Sequence, residues 1–138
     1  MEAHIQVRDL NVTYSDQAAL KNISVEIPKG QVTVILGPSG CGKTTLLKSF
    51  NRLIEMADGV KVSGQVLIDG VDIYEPEVEV TDVRKKAGLL AQPPFPLPMS
   101  IYDNVAYGMR IHRTKKGKEL DRAVQHYLEM AGLWTEVK

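Results

Sequence analysis

The residues of this chain whose types and spacing could do chemistry are concentrated in one loop, Gly37-Pro38-Ser39-Gly40-Cys41-Gly42-Lys43-Thr44. The loop fits the spacing G-x-x-x-x-G-K-[ST], which is typical of segments that bind the phosphates of nucleoside triphosphates. Its glycines let backbone N–H groups converge on a phosphate at the start of a helix. Lys43 adds a charge for the terminal phosphates, and the Thr44 hydroxyl suits Mg²⁺. The loop predicts a nucleotide site, and the structural alternative is a plain glycine-rich turn.

Two apolar segments flank the loop and predict the elements that position it. Residues 32–36 are nearly all apolar and β-branched, which is typical of a strand buried on both faces of a parallel sheet. After the loop, apolar residues recur with the period of a helix that has one apolar face, namely Leu46, Leu47, Phe50, Leu53 and Ile54. Strand, glycine-rich loop and helix form the order that a phosphate-binding loop requires.

Charge and cysteine content limit the classes of partner and compartment. Seventeen Lys and Arg residues balance seventeen Asp and Glu residues, so the overall charge gives no reason to expect nucleic acid or an anionic membrane as a partner. Cys41 is the only cysteine, which excludes an internal disulfide and suits a reducing cytosol. No apolar run approaches the length of a membrane span, and the N-terminus lacks the apolar core of a signal peptide. We expect an intracellular chain that meets a membrane only through a partner.

Most of the chain before the prolines predicts a mixture of strands and helices. Alternating apolar residues predict strands around residues 5–12 and 23–27, and a third strand is predicted within residues 59–70. Residues 80–86 predict a short helix, and residues 87–91 predict a short apolar strand. Alternation in the first two strands favours an antiparallel sheet with one solvated face.

The composition changes after that short strand. Residues 93–98 contain four prolines, which exclude a helix or a central strand. Ser100 and Asp103 form a capping-box pattern, and apolar residues at helical spacing predict two further helices. The predicted fold class is α/β: a phosphate-binding-loop core with a parallel sheet and flanking helices, an N-terminal antiparallel part and the start of a helical subdomain. The predicted domains are residues 1–92 and residues 93–138, both incomplete.

Together these features resemble the ATP-binding subunits of ABC transporters, and among them most closely the ATPases of bacterial phosphate importers. The resemblance is carried by the loop, by Asn51-Arg52, by residues 69–74 and by residues 96–108. It implies ATP and Mg²⁺ as cofactors and a peripheral place on the cytoplasmic side of the inner membrane. The chain has no LSGGQ-like signature, no later strand ending in Asp-Glu and no switch histidine. We therefore expect the N-terminal part of such an ATPase, which does not turn over ATP by itself.

The resemblance also assigns roles to individual residues. Tyr14 lies where the family places an aromatic residue that stacks on adenine, and the alternative is an ordinary strand-end tyrosine. Gln92 corresponds to the glutamine that reaches Mg²⁺ and the attacking water, and the alternative is a structural cap. Thr44 and Gln92 are thus the implied metal ligands. The implied ATP-binding residues are Tyr14, Gly37, Pro38, Ser39, Gly40, Cys41, Gly42, Lys43, Thr44 and Thr45.

The implied partners are membrane proteins and a second copy of the ATP-binding subunit. The surface between Gln92 and Tyr107 corresponds to the family's contact with membrane permease subunits, and no nucleic acid is expected. The chain departs from the family's usual residues at Ala91, Pro93 and Leu97. A different interpretation of the prolines is a PxxP ligand for an SH3-type groove.

Two other function classes stay open. One is a different phosphate-binding-loop enzyme, such as a small-molecule kinase or a GTPase, although the chain has no Asn-Lys-x-Asp motif to read guanine. The other is a truncated, non-catalytic nucleotide-binding or interaction module.

Overall fold

The structure is a computed structural model that describes residues 3–137. It divides after Leu90 into two compact units, each with its own hydrophobic core. The sequence places the domain boundary two residues later. Among the described helices, none is long and apolar enough to cross a membrane.

The first unit is built on a four-stranded antiparallel sheet. Its strands are β1 (Ala3–Tyr14), β2 (Gln17–Pro28), β3 (Val60–Ile68) and β4 (Val71–Asp72). Their spatial order is β2-β1-β3-β4, so β1 lies between the two long strands β2 and β3. This confirms the antiparallel part that the alternating residues predict.

A bulge in β1 explains why its buried residues do not keep a strict period of two. Val7, Leu10 and Val12 are all buried, and the register shifts between the first two of them. The extra residue is taken up by Asp9, which has a left-handed φ of 49°. Opposite it lies Gly64, where a Cβ would stand 2.3 Å from the Asp9 carbonyl oxygen. Only glycine fits there, so the bulge depends on residues of two strands.

Three short helices cover one face of this sheet. They are α1 (Lys43–Ser49), a 3₁₀ helix (Leu53–Met56) and α2 (Val80–Lys86). Phe50 and Ile54 are buried with the strand residues in one core. Burying a side chain of this size stabilises the fold by about 1.5–3 kcal/mol. The apolar period after the glycine-rich loop is thus the face that attaches the loop's helix to the sheet.

The second unit is helical from residue 101 onward. It contains α3 (Ile101–Ile111), α4 (Gly117–Met130) and α5 (Trp134–Val137). Ser100 caps α3, because its Oγ accepts the Asp103 N–H at 3.0 Å, as the capping-box pattern predicts. The core between α3 and α4 consists of Ala106, Leu120, Val124 and Leu128.

Two segments that the sequence predicts as strands are not strands. Residues 32–36 and 87–91 have no regular secondary structure. Val32, Val34 and Leu36 are 93%, 70% and 88% exposed. A strand in a parallel sheet needs hydrogen-bonded neighbours and covered faces, and no strand within residues 3–137 pairs with either segment. Apolar composition in both segments, and β-branched residues in 32–36, favour a strand but do not show whether a neighbouring strand is present.

Candidate functional site

The glycine-rich loop leads into α1 and packs closely against β2. Gly42 precedes α1 with a left-handed φ of 94°. A Cβ at this position would lie 2.8 Å from Leu20 Cδ2 and 2.9 Å from the Ala19 carbonyl oxygen. Both the backbone angle and the space therefore require glycine. The close contact packs the start of α1 against β2.

The side chain of Lys43 folds back over this loop. Its Nζ donates to the carbonyl oxygens of Gly37 at 2.7 Å and Pro38 at 2.6 Å, and it lies 3.5 Å from Cys41 Sγ. Two backbone dipoles thus hold the ammonium group beside the loop. The Lys43 ammonium group therefore lies beside the loop, as the motif predicts.

A cavity of about 310 Å³ opens beside the ammonium group. It is lined by Ala19, Ser39, Gly40, Gly42, Lys43, Thr44 and Thr45. None of these lining residues is acidic. The first hydrogen bond into α1 runs from the Leu46 N–H to the Gly42 carbonyl at 2.9 Å, so the three N–H groups before Leu46 have no acceptor within the helix. Free N–H donors, three hydroxyl groups and a lysine suit an anion with several oxygens, such as a chain of phosphates.

Thr44 is the one predicted metal ligand that lies in this cavity. Its side chain is exposed, and it begins α1 directly after Lys43. Within the described residues, no group of three or more His, Cys, Asp or Glu side chains could hold a metal ion by itself. Mg²⁺ often binds through one or two protein ligands together with substrate phosphates. The site therefore fits Mg²⁺ that is bound jointly by Thr44 and a nucleotide.

The structure brings most of the predicted nucleotide ligands together, but not all of them. Ser39, Gly40, Gly42, Lys43, Thr44 and Thr45 line the cavity. Gly37, Pro38 and Cys41 contact the Lys43 ammonium group instead. Tyr14 lies at the end of β1, where it is half-buried and packs against the core of the first unit. Gln92 is exposed and belongs to the second unit. The roles of Tyr14 and Gln92 stay predictions.

The sequence gives no indication of two features that the structure shows at this site. Ala19 lines the cavity, and an alanine in a strand carries no chemical signal. Behind α1, Tyr74 donates from its hydroxyl to the Ser49 carbonyl at 3.0 Å, and the Arg52 guanidinium carbon lies 5.4 Å from the centre of the Tyr74 ring. Burial raises the pKa of Tyr74 to about 12. These contacts fix the end of the helix that carries Lys43.

Asn51 ties the same helix end to the segment that precedes the second unit. It is buried, with 3% of its surface exposed. Its Nδ2 donates to the Ala87 carbonyl at 3.3 Å, and its Oδ1 accepts the Leu53 N–H at 3.2 Å. A buried amide with both ends bonded orders the chain around it. The Asn51-Arg52 pair therefore stabilises the region behind the loop and does not line the cavity beside Lys43.

Comparison with known proteins gives one family and several relatives. The family model described as ABC transporter matches residues 20–137. The phosphate import ATP-binding protein PstB of Thermotoga maritima is 49% identical over 138 residues, which is 100% of this chain and 55% of that protein. PstB 1 of Vibrio parahaemolyticus is 46% identical over 134 residues, which is 97% of this chain and 49% of that protein. The chain spans about half the length of the curated relatives it matches.

Solved structures agree with these relatives. The cbiO1 protein of Clostridium perfringens, part of the ABC transporter complex cbiONQ, superimposes with a TM-score of 0.81 at 30% identity. The match covers 100% of this chain and 54% of that one. A bacterial Atm1-family ABC exporter with ATP bound gives a TM-score of 0.74 at 26% identity, covering 96% of this chain and 21% of that one. These matches confirm the predicted fold class.

Proposed function

This chain belongs to the ABC transporter family, and we propose that it is the nucleotide-binding part of an ATPase that drives phosphate import. The observation that carries the proposal is the cavity beside Lys43, with its free N–H groups, hydroxyls and ammonium group and no acidic residue among the described residues that line it. The importer class is supported by the relatives named phosphate import ATP-binding proteins, at 46–49% identity.

In this proposal the loop residues bind the phosphates of ATP. The Lys43 ammonium exchanges its carbonyl partners for phosphate oxygens, and the Ser39, Thr44 and Thr45 side chains lie close enough to the cavity to donate further hydrogen bonds. Thr44 holds Mg²⁺ together with the phosphates. When bound by Thr44 and the phosphates, Mg²⁺ would supply positive charge for phosphoryl transfer. Tyr14 stacks on adenine, and the Gln92 side chain reaches the metal ion and the attacking water.

We further propose that the segment between Gln92 and Tyr107 contacts a membrane permease subunit, and that the subunit dimerises on the cytoplasmic side of the membrane. The support is a series of exposed apolar side chains: Phe95, Leu97, Met99, Ile101 and Tyr107 are 84%, 41%, 41%, 54% and 44% exposed. Exposed apolar groups of this kind mark interaction surfaces. A non-catalytic nucleotide-binding module would show the same cavity, so the partner separates the two possibilities.

The nucleotide site is tested by replacing the charge at its centre. Lys43→Ala should abolish Mg-ATP binding by the 138-residue chain, because no other cation among residues 3–137 lines the cavity. Lys48→Ala is the matched control, since Lys48 is an exposed lysine on the same helix, outside the cavity lining. Both variants should keep the circular dichroism spectrum of the parent chain. Equal ATP affinity of the parent chain and Lys43→Ala by calorimetry would remove the central assignment.

The importer assignment needs the full-length subunit in cells. A strain that lacks its own phosphate-import ATPase should regain growth on low phosphate when it receives the full-length subunit, and lose it again with Lys43→Ala. In a Cys41→Ser background, cysteines at Phe95 and Ile101 should cross-link to cysteines in cytoplasmic loops of the permease. Restored uptake without cross-links at these positions would place the permease contact elsewhere.

A further inference from the structure

The connection between α3 and α4 is strongly basic, although the chain as a whole has no net charge. Residues 110–118 contain five Lys and Arg residues and no Asp or Glu. The five are Arg110, Arg113, Lys115, Lys116 and Lys118. All of them lie in the second unit, within nine consecutive residues. This basic connector is therefore a local feature that the overall charge balance conceals.

Only part of this charge is neutralised within the described residues. Arg110 pairs with Asp103 at 2.5 Å, and Lys115 pairs with Glu119 at 3.4 Å. Arg113, Lys116 and Lys118 are exposed and have no carboxylate of residues 3–137 within ion-pair distance. Three cations thus remain available to a partner.

Helix stability does not account for the placement of two of these cations. The end of α3 gains from Arg110, because a cation suits the negative end of a helix. At the start of α4 the sign is reversed. Lys116 is the N-cap residue, makes no capping hydrogen bond with its side chain, and is followed by Lys118 in the first turn. Cations at the positive end of a helix oppose its dipole. Residues that destabilise a helix locally and make no compensating contact are expected where they serve binding.

Apolar side chains lie next to the basic connector. Tyr107 and Ile111 are one helical turn apart on α3 and are 44% and 55% exposed. An aromatic and an aliphatic side chain beside several cations is the composition of segments that bind anionic membrane surfaces, because the apolar groups enter the headgroup region while the cations meet lipid phosphates. An acidic protein or a nucleic acid would use the cations but gives no comparable role to exposed Ile111.

We propose that the basic connector, together with Tyr107 and Ile111, is a contact site for anionic phospholipid headgroups. The proposal does not depend on nucleotide binding, because none of its residues lines the cavity beside Lys43. It gives this chain a contact with the bilayer itself, next to the proposed permease contact, which ends at Tyr107.

The test is co-sedimentation of the 138-residue chain with lipid vesicles. Vesicles of phosphatidylglycerol and phosphatidylethanolamine should bind the chain, pure phosphatidylcholine vesicles should not, and raised salt should release it. Each cation near an anionic surface strengthens binding about fivefold. The triple variant Arg113→Gln/Lys116→Gln/Lys118→Gln should therefore weaken the partition coefficient about 100-fold. Ile111→Ser should weaken it with all charges in place.

The matched control removes the same number of charges elsewhere. Lys21→Gln/Lys48→Gln/Lys61→Gln neutralises three exposed lysines of the first unit and should leave vesicle binding within about twofold of the parent chain. ATP affinity, measured in parallel, should be the same in both triple variants. Equal binding to the two vesicle types, or equal loss in the two triple variants, would overturn the proposal. Binding to duplex DNA or polyglutamate, without binding to anionic vesicles, would also overturn the proposal.

Discussion

The Nζ of Lys43 lies 2.6 Å from the carbonyl oxygen of Pro38, five residues earlier in the same loop. A second carbonyl, that of Gly37, lies at 2.7 Å. The ammonium group is therefore already held beside the cavity by neutral dipoles. Charged oxygens are stronger partners for a cation than neutral carbonyls, so phosphate oxygens should displace these bonds at little cost in rearrangement. The site combines a fixed loop with one side chain that changes partners.

The first prediction concerns Tyr14. If its ring stacks on the base, Tyr14→Ala should weaken the binding of ATP and GTP alike, because stacking depends on a ring face and not on base hydrogen bonds. The expected loss is about 1–3 kcal/mol, by analogy with base stacking in nucleic-acid complexes. Calorimetric titration of both nucleotides measures it, and Tyr14→Phe should retain most of the affinity.

Because Tyr14 also packs against the core, the melting temperature of each variant has to be measured beside its affinity. Loss of ATP affinity alone would indicate hydrogen-bond recognition of adenine. Unchanged affinity for both nucleotides, with a lowered melting temperature, would leave Tyr14 as a structural strand-end residue.

The second prediction concerns Cys41, which is exposed and lies 3.5 Å from the Lys43 ammonium group. Alkylation of its thiol should block nucleotide binding, because the added group competes for the space in which Lys43 exchanges partners. Bound Mg-ATP should in turn slow the labelling. Cys41→Ser, which has no thiol to label, should bind ATP before and after treatment with the reagent. Equal labelling rates with and without Mg-ATP would contradict the prediction.

The sequence predicts the elements that depend on local chemistry. The bounds of α2 follow from the charge pattern of residues 80–86, and the start of α3 follows from Ser100 and Asp103, because capping is decided within one turn. The antiparallel strands follow from alternation. The bulge at Asp9 does not, because it depends on the space opposite Gly64, in another strand. Residues 32–36 fail as a strand for a related reason: composition shows which residues favour pairing but not whether a neighbour is present.

The same division applies to the candidate site. The sequence predicts the loop because the motif restricts the residue types at Gly37, Gly42, Lys43 and Thr44. The sequence does not predict that Ala19 lines the cavity, because this depends on the path of β2. The family resemblance includes Asn51 and Arg52, but their hydrogen bonds to Ala87 and Ile73 form only when distant segments of the chain meet. Long-range contacts with ordinary residue types leave no local signal.

The third prediction concerns Asn104, which holds the proline-rich segment on α3. Its Oδ1 accepts the Leu97 N–H at 2.9 Å, and its Nδ2 lies 3.0–3.1 Å from the carbonyl oxygens of Leu97, Met99 and Ser100. Asn104→Asp keeps the shape but removes the donor and turns a carboxylate toward these carbonyls. Losing a hydrogen bond at an exposed position costs about 0.5–1.5 kcal/mol.

Amide hydrogen exchange of the segment from Leu97 to Ile101 measures the effect of Asn104→Asp directly, and exchange there should become faster. Gln125→Glu is the control, because it makes the same amide-to-acid change at an exposed position on α4. It should leave exchange in this segment unchanged. Slow exchange in Asn104→Asp would show that the prolines alone keep the segment in place.

The last prediction follows from the pKa of Tyr74, which burial, and next the nearby Glu55 carboxylate, raise from 10.0 to about 12. The folded state therefore retains this proton at pH values where the unfolded chain has lost it. Stability from this group is complete below pH 10 and falls as the pH rises toward 12. Tyr74→Phe cannot ionise, so its free energy of unfolding should fall less steeply over that range. At neutral pH it should be less stable by about 0.5–1.5 kcal/mol, because the hydrogen bond to the Ser49 carbonyl is lost.

Denaturant unfolding at neutral and alkaline pH measures both effects of Tyr74→Phe. Tyr127→Phe, at an exposed position, is the control. Parallel pH profiles for the parent chain and Tyr74→Phe would show that the Tyr74 hydroxyl titrates alike in the folded and unfolded states.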